Sequence, residues 1–361
     1  MTVKNIAVAI VGLFATGLIS CAKSDTVDKG GGTDFNTLKN TFITDFVSKT
    51  AIPGYKDLAQ KASTFNDKVT ILKATPTEAN LAAAKDAWRD MRSTWEQCEG
   101  FLFGPVEDDN HDPNMDTWPV DRVQLDSVIG SSNALEINDI EGLPLSLRGY
   151  HPIEYVLWGA DGKRKAADIG GREMKYITSL TLDLKNTCQK LYSSWISSGG
   201  DYGVKVLTAG SGSALYHKKQ DVYLAVVTAM TDICEEVGGG KMKEPFDASD
   251  PKTVESPFSG NSVADFKNNM IGAYNVYTGN FLGNKGVGLD QVVSVKNAAL
   301  NKLLQEKFQA AINSFNAITV PYEEAIITQR TQCQNVMKAI KELNDVLGTQ
   351  LNDFVVKNIT D

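Results

Sequence analysis

The chain has 361 residues, 42% of them hydrophobic and 22% charged, enough to bury a large core and to divide into about two domains. Aspartate and glutamate (44) outnumber lysine and arginine (36), for a formal net charge of −8. That balance argues against nucleic acid or an anionic lipid surface held by a general basic field, and it suits cations better.

The first element is "MTVKNIAVAIVGLFATGLISC": Lys4, an apolar run from Ile6 to Leu18, then small residues. The run is short for a bilayer span and has the form of a signal peptide, expected over residues 1–20. Its ending, Leu18-Ile19-Ser20-Cys21, resembles a bacterial lipobox, which makes Cys21 the expected lipidation site and membrane anchor. Residues 21–33 are polar and glycine-rich, as a flexible tether requires.

Helical periodicity then takes over. The capping pattern Thr75-Pro76-Thr77-Glu78, with proline at the first helical position, opens a stripe at Leu81, Ala84, Trp88, Met91, Trp95, Cys98 and Leu102 that Gly104-Pro105 closes. Residues 104–148, rich in Asp, Asn and Pro, read as irregular. The rhythm resumes at Ile177, Leu180, Leu184, Cys188, Leu191 and Trp195. After the glycine-rich "SSGGDYG" it returns at Val222, Val226, Met230 and Ile233. A second irregular stretch covers 238–262, and two further stripes run through Leu300–Phe315 and Val336–Phe354. Alternating strand patterns are scarce. The expected fold is all-α, with one helical bundle over 34–198, a second over 204–361 and a boundary at 197–203. Cys98, Cys188, Cys234 and Cys333 each fall within a predicted helix, and with no CxxC pattern they read either as disulfides or as buried thiols.

Three groups of residues carry candidate chemistry. His151 and Glu154, in "GYHPIEYVLWG", stand one turn apart at the start of a helix whose first turn tolerates Pro152, and that spacing can ligate a transition metal. Glu96 and Glu99 flank the buried stripe one residue past Trp95 and Cys98. Two carboxylates held there favour a cation; the alternative for Glu96 is an ion pair with Arg92, one turn before it. The acids of "DDNHDPNMDTWPVD" alternate as in a calcium loop, but Pro113 and Pro119 occupy the places of the required glycine and glutamate. A solvated loop is expected there, with Asp116 the one acid near enough to the Trp118-Pro119 anchor to reach a site. Met242 breaks a P-loop reading of "GGGKMK", and neither a zincin helix nor a serine elbow is present.

Gly149-Tyr150-His151-Pro152-Ile153-Glu154 matches the Gly-x-His-x-x-Glu signature of the imelysin family, also classified as M75 peptidases. The segments "WRDMRSTWEQCEGFLFGPV", "MDTWPVD", "EEVGGGKMKEP" and "FSGNSVADFKNNMIGAYNVYTG" resemble that family in the same order, so the likeness spans nearly the whole chain after the signal. The resemblance implies two helical bundles with a functional cleft between them. It implies a metal site of His151 and Glu154, joined by Glu96, Glu99 and Asp116, and faced by Glu255, Ser259 and Asn261. Family members are linked to iron acquisition in the bacterial cell envelope, and the founding ones to metallopeptidase activity. An oxygen-rich ligand set with one histidine suits iron better than catalytic zinc; zinc and calcium are the alternatives. The expected function is a lipid-anchored protein that binds iron, or an iron-bearing ligand, for hand-over to an uptake transporter. A metallopeptidase using the same residues is the second reading, and a metal-assisted binder of a polysaccharide or polyanion the third.

Overall fold

Burial turns the apolar stripes of the sequence into helix contacts. In a computed structural model that describes residues 34–360, Leu81, Ala84, Trp88, Met91, Trp95 and Cys98 are all buried along one helix, Glu78–Cys98. Loss of either tryptophan to alanine at such a site costs about 3–5 kcal/mol. The helix packs with Ile52–Ala74, which packs in turn on Gly171–Trp195. The candidate signal peptide, Cys21 and the tether lie outside the described residues.

The remainder is helical too. Lys219–Glu235, Ser262–Thr278, Ala298–Ser314 and Arg330–Val346 are the main helices of the second half. The sole sheet among the described residues is a two-stranded antiparallel pair, with Asn280 opposite Lys285. No helix there is long and apolar enough to cross a membrane. The four cysteines at 98, 188, 234 and 333 are buried free thiols.

Three local expectations are corrected. The helix N-cap is Thr77, whose side chain accepts from the backbone N–H of Asn80 at 3.3 Å; Pro76 stands before the cap rather than inside the first turn. Glu78 instead accepts from the backbone N–H of Ala166, so no capping box forms. Residues 104–148 are not irregular: they hold short helices at Pro105–Asp108, His111–Asp116, Arg122–Gly130 and Ile137–Glu141. The second stretch likewise contains a π-helical turn, Glu236–Lys241, and the helix Lys243–Ala248. Helices this short do not repeat an apolar stripe, which is the signal that identifies longer ones.

The glycine-rich segment at 197–203 turns the chain back onto the core it has just left. The ring of Tyr202 lies 4.9 Å from that of Trp195, which also meets Phe46, Tyr55 and Phe103. From Phe35 onward the residues group into one compact unit. Its halves meet where Ser262–Thr278 packs on Glu78–Cys98 and the 3-10 turn Glu99–Phe101. A Cβ on Gly272 would stand 2.2 Å from the carbonyl oxygen of Gln97, and one on Gly100 would stand 2.6 Å from the amide nitrogen of Ala273. Only hydrogen in place of a side chain lets the two backbones come this close. That approach brings acids of the first half against polar groups of the second.

Candidate functional site

The signature stretch forms the helix Tyr150–Trp158, capped by Gly149 at φ +77°. A Cβ on Gly149 would lie 1.9 Å from the carbonyl oxygen of Met115, so glycine is required by both backbone and space. This contact sets the start of the His151 helix against the end of His111–Asp116. His151 and Asp116 meet as a result, with Nε2 2.9 Å from Oδ1.

His151 sits between two carboxylates. Its Nδ1 lies 3.4 Å from Glu154 Oε2, so both ring nitrogens face acceptors and the doubly protonated imidazolium fits best. Burial opposes that charge, but the hydrogen bonds to Asp116 and Glu154 outweigh it and push the imidazole pKa up to about 9. Glu154 reaches in the other direction as well. Its Oε1 accepts from the backbone N–H of Phe258 (3.1 Å), the backbone N–H of Ser259 (2.7 Å) and the Ser259 hydroxyl (2.7 Å). The signature glutamate thus orients the histidine and holds the 255–261 loop over it.

Arg92 is at the centre, fully buried. Its guanidinium contacts Glu96 and Asp116 closely, Glu255 at 3.3 Å and Asp265 at 3.6 Å, and stacks 4.8 Å from the Tyr150 ring. The ion pair between Arg92 and Glu96, the alternative to metal ligation in the sequence, is present. Trp95 Nε1–H donates to Asp116 Oδ2 at 2.6 Å. Burial works to raise the Asp116 carboxyl, yet Arg92 and His151 hold it well below the usual carboxylate range.

A second buried cation, Lys241, extends the network. Its ammonium lies 3.3 Å from Glu99, 3.3 Å from Glu236 and 2.9 Å from Glu255, beneath the Trp118 ring. Asn269 donates to Glu96 Oε2 at 2.7 Å and to Glu99. Asp265 accepts from Ser256 Oγ at 2.7 Å and from Asn261 Nδ2 at 2.6 Å. Seven carboxylates therefore surround Arg92, Lys241 and His151: Glu236, and the buried Glu96, Glu99, Asp116, Glu154, Glu255 and Asp265. Protons make up part of the difference. Burial raises the Glu96 carboxyl to about 8 against the pull of Arg92, raises Glu99 well above its ordinary value against Lys241, and brings Asp265 to about 6.

The expected metal and cleft residues, Cys21 apart, lie together in this network, in different positions. Three groupings among the described residues place ligand atoms within 4.8 Å of one another: Asp116, His151 and Glu255; Glu96, Glu255 and Asp265; and Glu96, Glu99 and Asp116. Glu154 is in none of them. Glu255 joins two, and its Oε2 has no hydrogen-bond partner although it is buried; its Oε1 meets Arg92 and Lys241 as ion pairs without hydrogen-bond geometry. Ser259 faces Glu154 and Asn261 faces Asp265, while Glu255 and His151 reach the surface through a pocket of about 310 Å³. Lys241, Asp265 and Asn269 were not legible as site residues. The one available signal was a charged or amide side chain adjoining apolar helix positions, which flanking surface residues share.

The comparisons with known proteins agree with this architecture. "Iron-regulated protein A" of Synechococcus elongatus is 28% identical over 342 residues, covering 93% of this chain and 92% of its own. A Parabacteroides distasonis crystal structure described as an iron-regulated protein A precursor superposes with a TM-score of 0.81 at 24% identity, over 92% of this chain and 97% of its own. An imelysin-like protein from Psychrobacter arcticum does so with a TM-score of 0.72 at 15% identity, over 88% and 95%. These two likenesses establish the fold. The family model described as Imelysin, Peptidase M75, matches residues 51–350, and the chain belongs to that family.

Proposed function

We propose that this protein binds a metal ion, iron foremost, through Asp116, His151 and Glu255, and captures it for uptake at the bacterial envelope, tethered by a lipid on Cys21. The observation that carries this reading is the buried, unpartnered Oε2 of Glu255, whose side chain comes within 4.8 Å of ligand atoms on Asp116 and His151. A buried carboxylate oxygen without a donor is costly, and a cation relieves it. Two carboxylates and one imidazole form an oxygen-rich donor set suited to iron, with zinc and calcium as alternatives. Glu154 supports the site from behind: a carboxylate on Nδ1 fixes the ring and leaves Nε2 for the ion, a common arrangement around ligating histidines. Glu96 and Glu99, grouped with Asp116, supply further oxygen ligands once they lose their protons. The Synechococcus relative's name, "Iron-regulated protein A", favours iron within this reading. Burial of His151 and Glu255 to 1% exposure suits retention of an ion better than admission of a polypeptide for cleavage.

Calorimetric titration of the purified chain with ferrous, ferric and zinc ions tests this directly. Binding is expected to be tightest for iron, to weaken at least about 10-fold in both Glu255→Gln and His151→Gln, and to release protons, since ligation deprotonates His151. If both variants bind every ion as the parent does, the reading fails.

A further inference from the structure

The pocket leading to His151 and Glu255 has walls that a bare metal ion does not explain. Its lining is acidic at Glu255 and Glu323, apolar at Val254, Pro257 and Phe258, and basic at the exposed Arg122 and Lys252; burial raises the Glu323 carboxyl to about 7, so it offers a proton as readily as a charge. Neither cation has a carboxylate partner among the described residues. Arg122 is nevertheless held in place: it donates to the Tyr155 hydroxyl at 3.1 Å, lies 4.8 Å over that ring, and Tyr155 packs edge-on to Phe258 at 5.0 Å. Two cations at this doorway repel an approaching metal ion. A separate pocket of about 200 Å³ is acidic instead, lined by Glu99, Asp112, Asp116 and Glu236 around Lys241, and offers a free ion a better approach. The basic rim calls for an anion. At about 310 Å³ the pocket stands near the lower end of the range for ligand sites, which limits the occupant to a small organic molecule.

We infer that this pocket takes a small polycarboxylate, with one carboxylate on the ion at His151 and Glu255 and another on Arg122 and Lys252. The inference rests on the metal-site reading above and adds the class of co-ligand. A guanidinium donates two parallel N–H bonds to a carboxylate, which a lone ammonium cannot do, so Arg122 carries the orientation and Lys252 adds charge. The apolar side at Val254 and Phe258 covers the carbon skeleton and keeps water from competing for the ion.

Citrate serves as the probe, with ferrous ion under anaerobic conditions as the metal. Both are titrated, singly and together, into the full chain and into an Arg122→Gln/Lys252→Gln variant, whose exposed positions leave the core untouched. The expected result is citrate binding at least about 10-fold tighter to the iron-loaded chain than to the metal-free one, lost in the double variant. Affinity for iron alone should not fall in the variant, because neither residue is a ligand and both charges oppose the ion. Citrate that binds parent and variant equally, or binds neither form of the parent, overturns the inference. If iron itself fails to bind, the metal reading falls. Citrate binding that is still lost in the double variant then preserves the anion pocket, and its absence removes both.

Discussion

Arg92 meets four carboxylates, and the energetics of the site turn on it. In water such a group is worth little to each partner; with no exposure it is the main charge offsetting Glu96, Asp116, Glu255 and Asp265. Arg92→Met keeps much of the volume and removes the charge, leaving Glu96 and Asp265 buried without a counter-ion and Asp116 and Glu255 with only His151 and Lys241. The expected loss is about 3–5 kcal/mol by urea denaturation, and iron should restore more stability to this variant than to the parent. A loss below about 1 kcal/mol would mean that the carboxylates are protonated or hydrated and do not depend on the guanidinium. At this scale the sequence was only partly legible. Glu96, Glu99, Asp116, His151 and Glu154 carried signals of spacing or family motif, whereas Arg92 was visible merely as an i,i−4 partner. Nothing in one sequence distinguishes an arginine at the centre of a buried site from one on a solvated helix edge.

The elements show where legibility ends for a different reason. Long stripes such as Leu81–Cys98 were readable because each apolar position repeats every three or four residues over several turns. The short helices of 104–148 have no such repeat, yet one of them, His111–Asp116, delivers Asp116 to the site. The seam that matters most, Glu78–Cys98 against Ser262–Thr278, depends on Gly272 and Gly100, whose role follows from the distance between two backbones and not from either helix alone. Gly272→Ala would place a methyl 2.2 Å from the Gln97 carbonyl, an atom that cannot rotate away. The helices must separate, at an expected cost of about 1–3 kcal/mol, and Asn269 must draw back from Glu96 and Glu99. Gly171→Ala is the control: nothing stands within 4 Å of its Cβ, so stability should be unchanged or rise by up to about 1 kcal/mol. Thermal unfolding of the pair checks the claim, and equal midpoints would refute the close approach.

For the whole molecule, the shared cluster makes stability a function of proton count. Sequence periodicity suggested long helices, but it held no information on how many acids their packing would bury together. The consequence is a sign. His151 is raised to about 9, so its stabilising charge is complete below its ordinary value near 6.5 and is lost as pH rises through 9. Glu96, raised to about 8 by burial, binds a proton in the fold that the unfolded chain has already released above 4.5. Asp265 at about 6 acts in the same direction over a lower range. Asp116 opposes them, since its depressed carboxyl adds stability above its ordinary value near 3.8 and loses it only as pH falls further. Between pH 6 and 9 the folded state therefore holds more protons than the unfolded one, and stability must fall as pH rises. The urea midpoint of the metal-free chain is expected to drop steadily over that range, and to drop less in Glu96→Gln, which cannot release its proton. Iron bound at Asp116, His151 and Glu255 replaces those protons with a cation, so the loaded chain should lose much of the dependence. A midpoint that climbs from pH 6 to 9 without metal would mean that the carboxylates enter the fold ionised, with Arg92 and Lys241 sufficient to balance them.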